Sequence, residues 1–171
     1  MIFFRSYANP CILQDSSTVL ITINSSICTS EQLTTLIEGK LGLPYSGGNW
    51  DGFGDSMTEW GENSRLPSIR KLCIFHEELP HLEPRDLYLY LSIIDEACNF
   101  WDNFDFISHC AIKKYEKSGI TIPADCWVYN KKEMDVYFNE KDRRIINRII
   151  VEARKEFDFN DKTGLYSRNM F

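Results

Sequence analysis

Two strand-like runs stand far apart in this chain, and what lies between them limits the possible folds more than any other feature. Thr18-Val-Leu-Ile-Thr-Ile-Asn24 is β-branched and of strand length, and it ends in the turn-prone Asn24-Ser25-Ser26. The next run, Lys71-Leu-Cys-Ile-Phe-His76, is almost continuously apolar, the pattern of a strand covered on both faces. Two helical patterns separate them. In the first, Thr29 opens a helix with Gln32 as its capping-box partner; Leu33, Leu36, Ile37 and Leu41 repeat at helical spacing, and Gly42 stops it. In the second, Trp50, Phe53, Met57 and Trp60 fall on one helical face. After the second strand, Pro84 suits a first helical turn, and Leu87, Leu91, Ile94, Cys98 and Trp101 recur every three or four residues. Phe104-Asp-Phe-Ile-Ser-His109 offers a third strand. Strands separated by helices need long crossovers, so the pattern predicts an α/β fold: a small three-stranded parallel sheet flanked by helices.

Beyond about Ile112 the character changes. Cys126-Trp-Val-Tyr-Asn130 and Met134-Asp-Val-Tyr-Phe138, joined by Lys131-Lys132-Glu133, read as an added C-terminal β-hairpin. Asn139 then caps an amphipathic helix whose Ile145, Ile146, Ile149, Ile150 and Ala153 form its apolar face. Arg143, Arg144, Arg148 and Arg154 lie elsewhere on it, and Glu140, Asp142, Glu152 and Glu156 dilute their charge. That mixture favours packing on the chain's own core over a membrane or nucleic-acid role. The expected organisation is an N-terminal segment over 1–16, a core domain over 17–112 and a C-terminal extension over 113–171 with a loose tail.

The formal charge of -6 is unevenly spread: residues 51–110 carry 12 acids against 4 bases, whereas residues 111–171 carry 10 acids against 13 bases. An acidic surface repels nucleic acid and anionic membrane as primary partners and favours a basic one. Six cysteines occur without a C-x-x-C pair, and most sit inside apolar runs, so they read as reduced core residues. The start has too short an apolar stretch for a signal peptide, and no run approaches the roughly 20 apolar residues of a spanning helix. A cytoplasmic location is expected.

The strongest local signal is Leu43-Pro-Tyr-Ser-Gly-Gly-Asn-Trp-Asp-Gly-Phe-Gly-Asp55. A Gly-rich loop leads to Asn49, a natural N-cap, and the helix that follows presents Asp51 and Asp55 four residues apart, hence on one face. Asp51 lies in the first turn, where the helix dipole favours the ionised form. Gly52 and Gly54 each cost roughly 1 kcal/mol against alanine inside a helix, which points to close approach or an irregular turn. The bland role for such aspartates is to cap and solubilise the helix.

The run L-P-x(n)-G-x-N-W-D-x-F-x-D, preceded by a strand ending in Asn and a capped helix, resembles the barstar family of intracellular ribonuclease inhibitors. The similarity is strongest from Thr18 to Trp60 and continues to the helix carrying Asp95-Glu96-Ala97. The resemblance implies that the loop and helix plug a ribonuclease active site, acidic side chains taking the positions of RNA phosphates. It assigns that role to Asp51 and Asp55, with Tyr45, Ser46, Gly47, Gly48, Asn49 and Trp50 beside them and Glu96 as a further acidic contact. Ser46 and Gly54 stand where the best-known member carries aromatics, which implies a smaller footprint and a different toxin.

The resulting expectation is a stoichiometric immunity protein against a basic ribonuclease toxin, with no catalytic residue, metal or cofactor and with neither nucleic acid nor membrane as partner. The alternatives are an immunity or adaptor protein for a non-ribonuclease toxin, and a metal-dependent enzyme using Asp51 and Asp55. His76, His81 and His109 lack metal-ligand spacing. Cys110 beside His109 would point to the opposite face of a strand, against a thiol nucleophile.

Overall fold

The computed structural model describes residues 1–6, 16–43, 49–63, 68–123, 126 and 130–163. Its elements in chain order are β1 (Ile2–Arg5), β2 (Thr18–Ile23), α1 (Ser30–Lys40), α2 (Trp50–Asn63), β3 (Lys71–His76), α3 (Pro84–Asp102), α4 (Phe104–Lys117), β4 (Glu133–Asn139) and α5 (Arg143–Thr163), with a 3-10 turn at Glu140–Asp142 before α5. Among the described residues the strands form one sheet in the order β1-β4-β3-β2, and every neighbouring pair is parallel. In register, Ile2, Val136, Ile74 and Ile21 make one apolar row across it. Leu33 and Ile37 of α1, Phe53, Met57 and Trp60 of α2, Leu91 and Ile94 of α3 and Ile146 of α5 are buried in the same core as that row. Each such aliphatic or aromatic side chain contributes about 1.5–3 kcal/mol by leaving water.

Local signals placed β2, α1, α2 and β3, but not β1, which falls in the stretch read as an N-terminal segment and is a strand paired with β4. The Thr29 hydroxyl accepts from Gln32 N at 3.2 Å, while Gln32 Oε1 accepts from Cys28 N at 2.9 Å, so the capping pair reaches one residue further back than the usual box. Gly42, at φ 64°, takes the left-handed conformation that ends the turn after α1. Residues Leu72 to His76 of β3 are all buried, as a strand covered on both faces requires. On the far face from the main core, Cys73, Phe75 and Tyr137 cluster with Phe3 and Leu20, and the Arg5 guanidinium sits 4.2 Å from the Tyr137 ring centre.

Two expectations are overturned. Residues 104–109 form the first turns of α4, not a strand, because the buried side chains Phe104, Ser108 and Ala111 fall at helical spacing while Phe106 is 70% exposed. The partner for β3 comes instead from β4. Nor do residues 134–138 belong to a hairpin: Val136 and Tyr137 pair parallel with β1 on one edge and β3 on the other, leaving no edge for an antiparallel arm. Residues 127–129 of that expected arm lie outside the described residues. Among the described residues the sheet thus holds four strands where three were expected, and an interior one comes from the segment read as an extension.

The amphipathic helix after Asn139 does pack on its own chain. Ile146, Ile149 and Ile150 of α5 are buried, whereas Ile145 and Val151 are exposed, so its apolar face is narrower than the sequence pattern. Arg154 grips Asp95 of α3 through two bonds of 2.7 Å, and the Tyr88 hydroxyl donates to Glu156 at 2.6 Å. Of the cysteines, Cys73 and Cys98 are buried, Cys28 and Cys110 are exposed, and Cys11 lies outside the described residues; all five described are free thiols. Burial pushes the Cys98 thiol up to about 12. Among the described residues, no helix is long and apolar enough to cross a membrane.

Candidate protein-binding site

The N-terminus of α2 is built as its sequence predicts. Asn49 Oδ1 accepts from Gly52 N at 2.8 Å, so one of the helix's unsatisfied N–H groups is capped by a side chain. Phe53, Met57 and Trp60 are fully buried, which fixes the roll of the helix and turns Asp51 and Asp55 to solvent. Trp50 is half-buried. Its ring meets Phe53 edge-on at 5.9 Å, and its indole N–H donates to Asp86 of α3 at 2.8 Å. Further along, the Trp101 indole donates to the Met57 carbonyl at 2.9 Å. Two indole bonds therefore pin α2 to α3 at separated points. Behind α2, Ser56 donates to the buried Glu38 carboxylate of α1 at 3.0 Å.

Between these two helices runs a groove of about 500 Å³. Asp51, Asp55 and Glu59 of α2 line it, and Glu96 lines it from α3. Its apolar lining includes Gly54, Leu89, Ile93 and Ala97. The structure thus brings Trp50, Asp51, Asp55 and Glu96 together, although Glu96 lies more than forty residues further along the chain. Asn49 acts as the cap, and Tyr45, Ser46, Gly47 and Gly48 lie outside the described residues. Sequence reasoning missed Glu59. Its signal was present, because Glu59 extends the four-residue spacing of Asp51 and Asp55 by one more step.

Like charges at that spacing repel by a few tenths of a kcal/mol per pair, so this stripe costs the isolated helix stability. Only Asp51, near the positive end of the helix dipole, gains from its position. Such an arrangement is suited to receiving cationic groups from outside. Among the described residues, no three His, Cys, Asp or Glu side chains converge as metal ligands do.

The family model described as barstar (barnase inhibitor) matches residues 18–113, more than half of the chain. The chain belongs to the barstar family. No curated protein and no solved structure matches it. The barstar match begins at β2, contains both walls of the groove, and ends within α4. Strand β4 and helix α5 follow the matched span, yet β4 is interior to the sheet and α5 packs on α3.

The remaining candidates have structural surroundings. His76 is buried: its Nδ1–H donates to the Tyr137 carbonyl at 3.1 Å, the Tyr90 hydroxyl donates to Nε2 at 2.8 Å, and the ring stacks on Phe138 at 4.1 Å. A carbonyl can only accept, which sets that tautomer, and burial holds the imidazole down at about 3. His81 and His109 are exposed. His109 and Cys110 sit on α4 rather than on a strand, and both face solvent.

Proposed function

We propose that this protein is a stoichiometric inhibitor of a basic ribonuclease toxin, an immunity protein working in the cytoplasm of the cell that makes the toxin. It blocks rather than catalyses. The observation that carries the reading is the convergence of Asp51, Asp55 and Glu96 from two helices on one exposed groove inside the barstar-matched span. A ribonuclease site gathers Lys, Arg and His to hold phosphate, and carboxylates held by a rigid helix pair satisfy those donors with charge-assisted bonds. The excess of acids over bases in residues 51–110 adds a field that steers a cationic partner and speeds encounter.

The test is to titrate the purified protein against barnase and other basic microbial ribonucleases while RNA cleavage is followed. Asp51→Asn and Asp55→Asn should each weaken inhibition of the ribonuclease that responds by about tenfold to a hundredfold, the range for one charged hydrogen bond. Their melting temperatures should stay close to the parent's. Parallel loss of inhibition and stability would make the two aspartates helix-stabilising groups only. Inhibition should also weaken with added salt, since exposed charges are screened.

A further inference from the structure

Helix α3 keeps two oppositely charged faces of the molecule apart. Its Ile93 and Ala97 line the groove against α2, whereas its Tyr88 and Asp95 are bonded to Glu156 and Arg154 of α5. At about 100° per residue these two pairs lie on opposite sides of α3, so α2 and α5 flank it from opposite directions. The outward face of α2 carries the exposed Asp51 and Asp55, and no basic residue occurs in that helix. On α5 the charge is reversed. Arg144, Arg148 and Lys155 are exposed on the side away from the buried Ile146, Ile149 and Ile150, with Val151, 49% exposed, among them. Arg143 and Arg154 are held by Glu140 and Asp95 of the same chain. Among the described residues, neither the two aspartates nor Arg144, Arg148 and Lys155 enter an ion pair. Arg144 and Arg148, like Asp51 and Asp55, are like charges one helical turn apart, an unfavourable spacing that opposite charges relieve. With α3 between them, the two faces of one chain cannot meet each other, but those of two chains can.

We propose that a second copy of this chain docks the outer face of its α5, through Arg144 and Arg148, on Asp51 and Asp55 of the first. Both pairs have the same four-residue spacing, so two charge-assisted contacts form in one register, with Val151 as an apolar spot beside them. The docking faces differ, so the contact is heterologous: each added copy leaves one acidic and one basic face open, and the assembly extends. Exposed ion pairs are individually weak, which makes the association reversible and confines it to high protein concentration and low salt. Where the inhibitor reading holds, docking covers Asp51 and Asp55, so self-association and ribonuclease binding exclude each other.

Sedimentation equilibrium of the full chain tests this, at protein concentrations from about 10 μM to 1 mM, where weak association is visible. Salt is varied from about 0.01 M to 1 M, over which the screening length falls from about 30 Å to 3 Å. The average mass should rise above that of one chain with concentration at low salt and return to it at high salt. The Arg144→Glu, Arg148→Glu and Asp51→Asn, Asp55→Asn double variants should each weaken association at least about tenfold. Mixed one to one, the two variants should combine into a dimer and stop there, because the first keeps its acidic face and the second its basic face. That dimer also shows that both variants are folded. A single-chain mass throughout at low salt, either double variant associating as strongly as the parent, or no dimer in the mixture overturns the proposal. Ribonuclease inhibition is read separately: the arginine variant keeps Asp51 and Asp55 and should inhibit as the parent does. Inhibition without self-association removes the docking and keeps the inhibitor, whereas self-association without inhibition of any ribonuclease does the reverse.

Discussion

Asp95 and Glu96 are neighbours in α3 and lie on different flanks of it. Asp95 is nearly buried and held by the Arg154 guanidinium of α5 through two 2.7 Å bonds, with Asn99 donating to it at 3.3 Å. Glu96 lines the groove against α2, beside Asp55 and Glu59. Elsewhere on the β4–α5 side, Lys71 meets Asp135 at 2.6 Å and Arg143 meets Glu140 at 2.5 Å. On the groove side, Asp51 and Asp55 are exposed, and among the described residues neither enters an ion pair. Asp95 on α3 therefore helps to hold the fold, whereas Asp51 and Asp55 on α2 face solvent. The difference teaches where an acidic substitution should be felt: in stability on one flank of α3, in binding on the other.

The contrast breaks most readily in the core on the β4 side. Phe138 is fully buried and stacked on His76, so Phe138→Ala should cost about 3–5 kcal/mol in denaturant unfolding. A loss below about 1 kcal/mol would mean that β4 is not integral to the core.

A smaller effect follows from His76, whose folded-state value of about 3 lies below the usual 6.5. The unfolded chain takes up a proton on this ring as pH falls through about 6.5 and the folded chain does not, so stability drops between about pH 6.5 and 3. Between pH 7 and 5 the drop amounts to roughly 2 kcal/mol. His76→Asn should be less stable at neutral pH but show a flatter profile over that interval, as read by unfolding at stepped pH. An equally steep profile would assign the acid sensitivity to other groups.

Smaller again is the tie between α5 and α3. Arg154 is more than half exposed, so solvent screens part of the pair, but its loss leaves Asp95 nearly buried without its cation. Arg154→Ala should cost about 1–2 kcal/mol in the same unfolding measurement. Asp51→Asn and Asp55→Asn should each change stability by less than about 0.5 kcal/mol, as expected for exposed positions. Equal losses on the two flanks would dissolve the contrast.

Much of the local structure around the groove was legible before any coordinates, whereas the pairing of Asp95 with Arg154 was not. The capping residues Thr29 and Asn49 and the buried Phe53, Met57 and Trp60 of α2 are short-range features, set within four residues of sequence, and they stand as read; Asp51 and Asp55 are exposed as their spacing from that stripe requires. The failures concern longer range. Phe104-Asp-Phe-Ile alternates briefly like a strand, but its helical state is decided by which side chains the core accepts, Phe104 and not Phe106. The interior place of β4 depends on pairing with β1, whose four residues lie at the other end of the chain. In the groove, Glu59 was readable from spacing alone, whereas its apposition to Glu96 is a product of how α2 and α3 are pinned by Trp50 and Trp101.

The central claim is that the acids of the α2–α3 groove close a ribonuclease active site. Following RNA cleavage by barnase and other basic microbial ribonucleases as the protein is titrated tests it most directly. The account predicts that one of these enzymes loses activity linearly to an endpoint at one inhibitor per enzyme, and that the Asp51→Asn, Asp55→Asn double variant shifts the curve at least about a hundredfold in affinity without unfolding. Full inhibition by the folded double variant, or cleavage untouched by the parent protein across the whole set, would contradict it.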